Sequence, residues 1–220
     1  MIDLHLHSSA SDGSLTPAEL VRLAVKNDME AIAITDHDTV EGVDEALEEG
    51  RRLGIEVIPG VEISSEYDPG TMHITGLFIN INDHQLRSTL DFLQKVRRDR
   101  NLKILNKLGR YGIKLEYTEL ERLADNGQIG RPHFARLMVV KGYCADIQEA
   151  FDRYLKKGGP AYIHKKRLTP EEAVKLISGA GGIPILAHPV TLGLKPQELD
   201  SFVNDLVGKG LKGIEVYYCD

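Results

Sequence analysis

The chain has 220 residues, 42 % of them hydrophobic, enough to bury the core of one ordinary domain with room for a small insertion. Its 27 Lys and Arg against 33 Asp and Glu leave a formal charge of −6, which argues against a duplex nucleic-acid surface. A small anionic substrate stays open, because bound divalent metals invert the local charge of a site. Cys144 and Cys219 lie far apart with no C-x-x-C spacing and read as plain thiols, which excludes a disulfide framework and a thiolate zinc site. Met1 runs straight into a strand pattern, so neither a secretory leader nor a membrane span is expected and the expected location is the cytoplasm.

The first predicted element is a strand in which alternation sets Ile2, Leu4 and Leu6 against Asp3, His5 and His7. Two residues of strand rise about 6.6 Å, so the two imidazoles can converge on one ion or on neighbouring ions. A solvated polar face is the plainer alternative for an isolated His-x-His. The turn Ser11-Asp12-Gly13 follows and can curl a carboxylate back toward the strand end. Thr16-Pro17 with Glu19 marks a capped helix from Ala18 to Asn27, with Leu20, Leu23 and Ala24 as its apolar stripe. Ala31 to Thr35 is an apolar run of the kind buried on both faces of a parallel sheet, and it ends in Asp36-His37-Asp38. A helix over Val40 to Leu53, stopped by Gly54, precedes a strand from Ile55 to Ile63 interrupted at Pro59-Gly60 and carrying Glu62 near its end.

Another alternating stretch spans Met72 to Phe78, with His73 near its start. From Gln85 to about Tyr111, and in further segments to about Leu155, the pattern is helical. This divides the chain into 1–95, a helical insertion at 96–164, and 165–220; ordinary outer-layer helices of one continuous fold are the alternative. A helix at Pro170 to Ser178 leads through Gly179–Gly182, read as a helix end and turn, into a strand that reaches His188-Pro189. A helix from Pro196 to Val207 and a strand from Gly213 to Tyr217 complete the pattern.

The fold expected on periodicity is α/β, with polar residues recurring at strand ends, the edge where parallel folds build their sites. Collected, these residues are His5, His7, Asp12, His37, Glu62, His73 and His188. Imidazole and carboxylate without thiolate suit Mn, Zn or Fe. Seven ligands exceed the need of one ion, so two or three divalent ions sharing a bridging carboxylate are expected, with Glu62 as the bridge.

His5-x-His7 with Ser11-Asp12-Gly13, Thr35-Asp36-His37-Asp38, Pro59-Gly60-Val61-Glu62, His73 and Ala187-His188-Pro189 together resemble the polymerase and histidinol phosphatase (PHP) family of metal-dependent phosphoesterases. Gly130-Arg131-Pro132-His133 and the Phe151 to Tyr162 stretch resemble the helical insertion of the branch holding nucleoside 3′,5′-bisphosphate phosphatases and 5′-to-3′ exoribonucleases. The resemblance implies a distorted (β/α)7 barrel. The family's Asp-x-His motif near the C-terminus has no counterpart in these 220 residues, so the barrel is expected to lack its C-terminal end.

The activity implied is hydrolysis of phosphate esters of a small nucleotide or an RNA 5′ end by metal-activated water, with no protein nucleophile. A phosphatase for another monoester such as histidinol phosphate, or a catalytically idle ligand-binding module, are the alternatives. Asp36 is expected to orient a ligand histidine, and a metal ion or His188 to stabilise the leaving oxygen. Arg131 at a helix N-terminus, with His133 beside it, is the candidate anion site. Lys157 and the run Lys165-Lys166-Arg167 are weaker candidates, the run being expected as a solvated surface.

Overall fold

A computed structural model describes residues 1–124 and 127–218. Its described residues divide into two compact units: one comprises Met1–Phe92 and Arg167–Asp220, the other Leu93–Lys166. Cys144 is buried in the second, whereas Cys219 lies outside the described residues. No helix among the described residues is long and apolar enough to cross a membrane.

In the first unit the elements follow as β1 (Ile2–Leu6), α1 (Pro17–Lys26), β2 (Ala31–Ile34), α2 (Val43–Leu53), β3 (Glu56–Ser65) and β4 (Met72–Leu77). The long helix α3 (His84–Gly109) begins here and continues into the second unit. The second unit adds α4 (Tyr117–Leu123), α5 (Arg131–Val140) and α6 (Ile147–Ala150), the last running into a π turn at Phe151–Leu155. The first unit resumes with α7 (Pro170–Gly179), β5 (Ile183–Leu186), a 3₁₀ turn at Pro189–Leu192, α8 (Pro196–Gly208) and β6 (Gly213–Ile214).

The six strands form one sheet in the order β1-β2-β3-β4-β5-β6. β1, β2 and β3 are parallel, each crossover made by a helix, as the strand-helix rhythm implies. β4 departs from that rhythm and is antiparallel to both β3 and β5. The link of residues 66–71 is too short for a parallel crossover, so the chain can only fold straight back.

Four sequence expectations are corrected here. β3 runs unbroken through Pro59-Gly60: its first half pairs with β2 up to Pro59, and from Gly60 it pairs with β4. Gly60 is required at that switch, because a Cβ there would sit 2.9 Å from the Ile34 carbonyl oxygen and 3.0 Å from that of Gly76. β6 is shorter than the stretch Gly213–Tyr217. On α1 the stripe is Val21 and Ala24 with Leu20 partly buried, whereas Leu23 is exposed. Simple alternation also fails along β1, where the pairing with β2 shifts register between Asp3 and Leu6. Leu4 therefore packs with Ala33, Ile58, Leu77 and Ile185 on one face of the sheet, while Leu6 joins the large cluster on the other.

That large cluster holds Ile32, Ile34, Ile63 and Ile74 of the strands against Val21 of α1, Val43 of α2, Leu86 of α3 and Ile177 of α7. The opposite face carries the small cluster of Ala33, Ile58 and Leu77 with Leu4 and Ile185. Glu62 shares the face of Ile58, four residues back on β3, and His73 that of Leu77 on β4. The second unit has its own core of Ile104, Leu108, Leu120, Phe134 and Met138. Lys165, expected in a solvated run, is instead buried.

Candidate metal centre

Every strand from β1 to β5 delivers a side chain to one point, the carboxylate of Glu62. Its oxygens face different histidines. Oε1 lies 2.8 Å from His188 Nε2, 3.0 Å from His73 Nδ1 and 3.4 Å from His5 Nε2. Oε2 lies 2.9 Å from His37 Nδ1 and 3.2 Å from His7 Nε2. Asp12 stands behind the second set, with Oδ1 3.4 Å from His7 Nδ1 and Oδ2 3.6 Å from His37 Nε2. All seven residues singled out by their positions at strand ends are thus brought together.

Local geometry explains how. β1 ends at Leu6, so His5 is on the strand and His7 just beyond it. The loop carrying Asp12 is pinned by Asp36, which is fully buried and accepts from Ser8 N at 2.7 Å, from Ser8 Oγ at 2.6 Å and from Ser11 Oγ. Asp36 therefore reaches a histidine through Ser11, whose Oγ lies 3.4 Å from His7 Nδ1. Asp38, next to His37, adopts φ 49° and accepts from Ser64 N at 2.9 Å and Ser64 Oγ at 3.1 Å. The strain of that left-handed residue is offset by these bonds, which fix His37 beside β3. His188 has φ 24° at the exit of β5, and its ring is held by Thr191 Oγ1 at 3.1 Å from Nδ1.

The electrostatics are those of an overcommitted carboxylate. Burial works against the charge of Glu62, but the imidazoles of His188, His37 and His5 hold its carboxyl well below the ordinary value. Burial likewise opposes a proton on His5, yet Glu62 and then Glu215 raise that imidazole to about 9. His37 is raised by Glu62, Asp12 and Asp38 against the same penalty, whereas His73 is lowered by burial and by its neighbours His37 and His188.

Two sets of ligand atoms lie within 4.8 Å of one another, His5 with Glu62 and His188, and His7 with His37 and Glu62, so Glu62 belongs to both. Its Oε2 is buried and no hydrogen bond satisfies it, although His37 Nδ1 is within 2.9 Å. An orphaned buried carboxylate oxygen amid imidazole nitrogens, with no thiolate near, fits a divalent cation of the Mn, Zn or Fe type.

Glu215 was not among the residues read from the sequence, yet its Oε1 lies 3.0 Å from His5 Nδ1 and its Oε2 accepts from His188 N at 2.6 Å. The signal available was its place between Ile214 and Val216 at the end of a strand, the position that marks Glu62. In the second unit Arg131 opens α5; its Nη1 donates to the Leu155 carbonyl at 3.1 Å and its guanidinium lies 5.8 Å from the Phe151 ring centre and 5.5 Å from that of Tyr162. His133 accepts the Gly130 N–H on Nδ1 at 3.0 Å, closing the helix start, and Lys157 is exposed.

A curled α/β sheet gathering histidines and carboxylates around one shared Glu is the arrangement of a metal-dependent hydrolase. The PHP domain matches residues 3–163, and the chain belongs to that family of metal-dependent phosphoesterases. It is 36 % identical over 217 residues to a 5′-3′ exoribonuclease of Haemophilus influenzae, covering 99 % of this chain and 79 % of that one. It is 36 % identical over 216 residues to a 3′,5′-nucleoside bisphosphate phosphatase of Chromobacterium violaceum, covering 98 % and 76 %. Among solved structures, an amidohydrolase of Chromobacterium violaceum with bound sulfate superposes with a TM-score of 0.84 at 35 % identity over 97 % of this chain and 75 % of the other.

Proposed function

We propose that this chain hydrolyses phosphate esters of a small nucleotide, a 3′,5′-bisphosphate, or the phosphate-bearing 5′ end of a short RNA. The observation that carries the reading is the single carboxylate of Glu62 divided between two sets of imidazoles, and the similarity to a bisphosphate phosphatase and an exoribonuclease supports it. Two or three divalent ions, held by His5, Glu62, His73 and His188 on one side and by His7, Asp12, His37 and Glu62 on the other, supply Lewis acidity and a water of lowered pKa. The chain's own residues do the rest. Glu62 bridges the two sets, and Asp36 fixes the loop of Asp12 through Ser8 and Ser11. His188 would serve as a ligand through Nε2, its Nδ1 being held by Thr191, and a bound ion would steady the leaving oxygen. Residues 96–164 form the recognition insertion, in which Arg131 offers a planar fork to a second phosphate, with His133 and Lys157 supporting it. On this reading the sheet is six strands of a distorted (β/α)7 barrel, and the protein works in the cytoplasm.

The test is phosphate release from adenosine 3′,5′-bisphosphate with Mn²⁺, measured for the parent chain beside His7→Ala and Arg131→Ala. The expected result is turnover by the parent, none by His7→Ala, and a loss for Arg131→Ala confined to the bisphosphate while a simple monoester is still cleaved. Equal losses on both substrates would remove the role of Arg131. Metal binding without turnover of either substrate would leave a ligand-binding module in place of the enzyme proposed.

A further inference from the structure

Glu215 has no part in that reading, yet it contacts two of the histidines of the metal centre, at 3.0 Å and 2.6 Å. It follows β6, an edge strand, and its backbone is fixed by donation of its N–H to the Leu186 carbonyl at 2.9 Å. From there its half-buried carboxylate crosses to β1, the other edge of the same sheet, where Oε1 meets His5 Nδ1 at 3.0 Å. A carboxylate can only accept, so Nδ1 of His5 must carry the hydrogen, and in the neutral ring the lone pair then sits on Nε2, which faces Glu62 Oε1 at 3.4 Å.

The other oxygen does equivalent work on His188. It accepts that residue's backbone N–H at 2.6 Å. At φ 24° and ψ 67° His188 lies outside the regions that L residues favour, so an outside contact has to hold it there. With its backbone so held, its Nε2 reaches Glu62 Oε1 at 2.8 Å. Both histidines of one ligand set, His5 and His188, are thus held by Glu215, and its two recorded carboxylate contacts both go to that set.

We propose that Glu215 is a positioning residue for one half of the metal centre: it selects the His5 tautomer and holds the His188 backbone, so that the His5–Glu62–His188 set is ready for its ion while the His7–His37–Glu62 set is independent of it. This rests on the reading above that each of the two ligand sets takes an ion, the two-ion reading below. Outer carboxylates that orient a ligand histidine typically change metal affinity tenfold to a hundredfold when removed.

The experiment titrates Mn²⁺ alone into the metal-free 220-residue chain by calorimetry, for the parent, Glu215→Gln, Glu215→Ala and Asp12→Ala, with a melting curve for each metal-free variant. The parent should bind at least two ions, one at each ligand set. Glu215→Gln, which keeps the shape and loses the charge, should weaken one of them about tenfold to a hundredfold and leave the other at the parent affinity, while Asp12→Ala weakens the complementary ion. Should Glu215→Ala fail to fold, the glutamine variant decides. Two ions bound by Glu215→Gln at parent affinities, or both weakened equally, would overturn the inference while the two-ion reading stands. Fewer than two ions in the parent would remove that reading and this inference with it.

Discussion

Glu62 is the residue on which the centre depends, because each of its oxygens serves a different set of histidines. Replacing it by Gln removes the only charge shared by both sets and leaves a buried amide whose NH₂ faces ring nitrogens, so binding of both ions should fall together, unlike the selective loss expected at Glu215. Manganese titration of Glu62→Gln measures this directly, and retention of one tight ion would show that the sets do not share it. Gly13 sets a second limit at this scale. A Cβ there would lie 2.2 Å from the carbonyl oxygen of His7 and 2.6 Å from its carbonyl carbon, backbone that cannot swing aside as a side chain could. Gly13→Ala must therefore displace the loop that carries Asp12, at a cost of about 1–3 kcal/mol of stability. Chemical denaturation reads the loss, and a variant as stable as the parent would mean the loop is freely adjustable.

Among the elements, α1 and α2 are joined by a charge cluster away from the centre. Arg22 of α1 donates to Glu49 Oε1 at 2.7 Å, and Arg52 of α2 donates to both Glu49 oxygens at 2.7 Å. Arg52 and then Arg22 hold the Glu49 carboxyl down to about 2, against an ordinary 4.5. Since the folded value is the depressed one, the stabilisation is fully present above pH 4.5 and drains away as pH falls toward 2. Glu49→Gln should lower the melting temperature at pH 7 and progressively less as the pH is taken below 4, and a difference that stays constant with pH would show that the pair contributes nothing through its charge. The elements also show what local sequence carries. Thr16-Pro17-x-Glu19 starts α1 where the capping box stands, since every contact in that box is local. The partner switch of β3 at Gly60 and the register shift in β1 depend on neighbouring strands, and no alternation within one strand reports them. Glu215 stands at a strand end as Glu62 does, but its contacts to His5 and His188 depend on the closeness of two sheet edges, which no local pattern reports.

For the whole molecule, the centre draws ligands from or just after five of the six strands, so an ion bound there cross-links most of the sheet of the first unit. This much follows from histidines and carboxylates recurring at strand ends, whereas the antiparallel course of β4, which turns His73 toward Glu62, follows only from the shortness of the 66–71 link. Without metal, Glu62 sits among rings it cannot all satisfy, and a cation relieves that imbalance only in the folded state. At an ion concentration a hundred times the dissociation constant, binding to one site adds about 2.7 kcal/mol to the stability of whatever unfolds with it. The second unit, Leu93–Lys166, has a separate core of Leu120, Phe134 and Met138, and none of its described residues belongs to either ligand set. Added Mn²⁺ should therefore slow amide hydrogen exchange in β1 to β5 and leave α4 and α5 at their metal-free rates, and a chelator should reverse it. Equal protection of α4 and α5 would show instead that the two cores unfold as one cooperative whole, with the metal's stabilisation shared across both units.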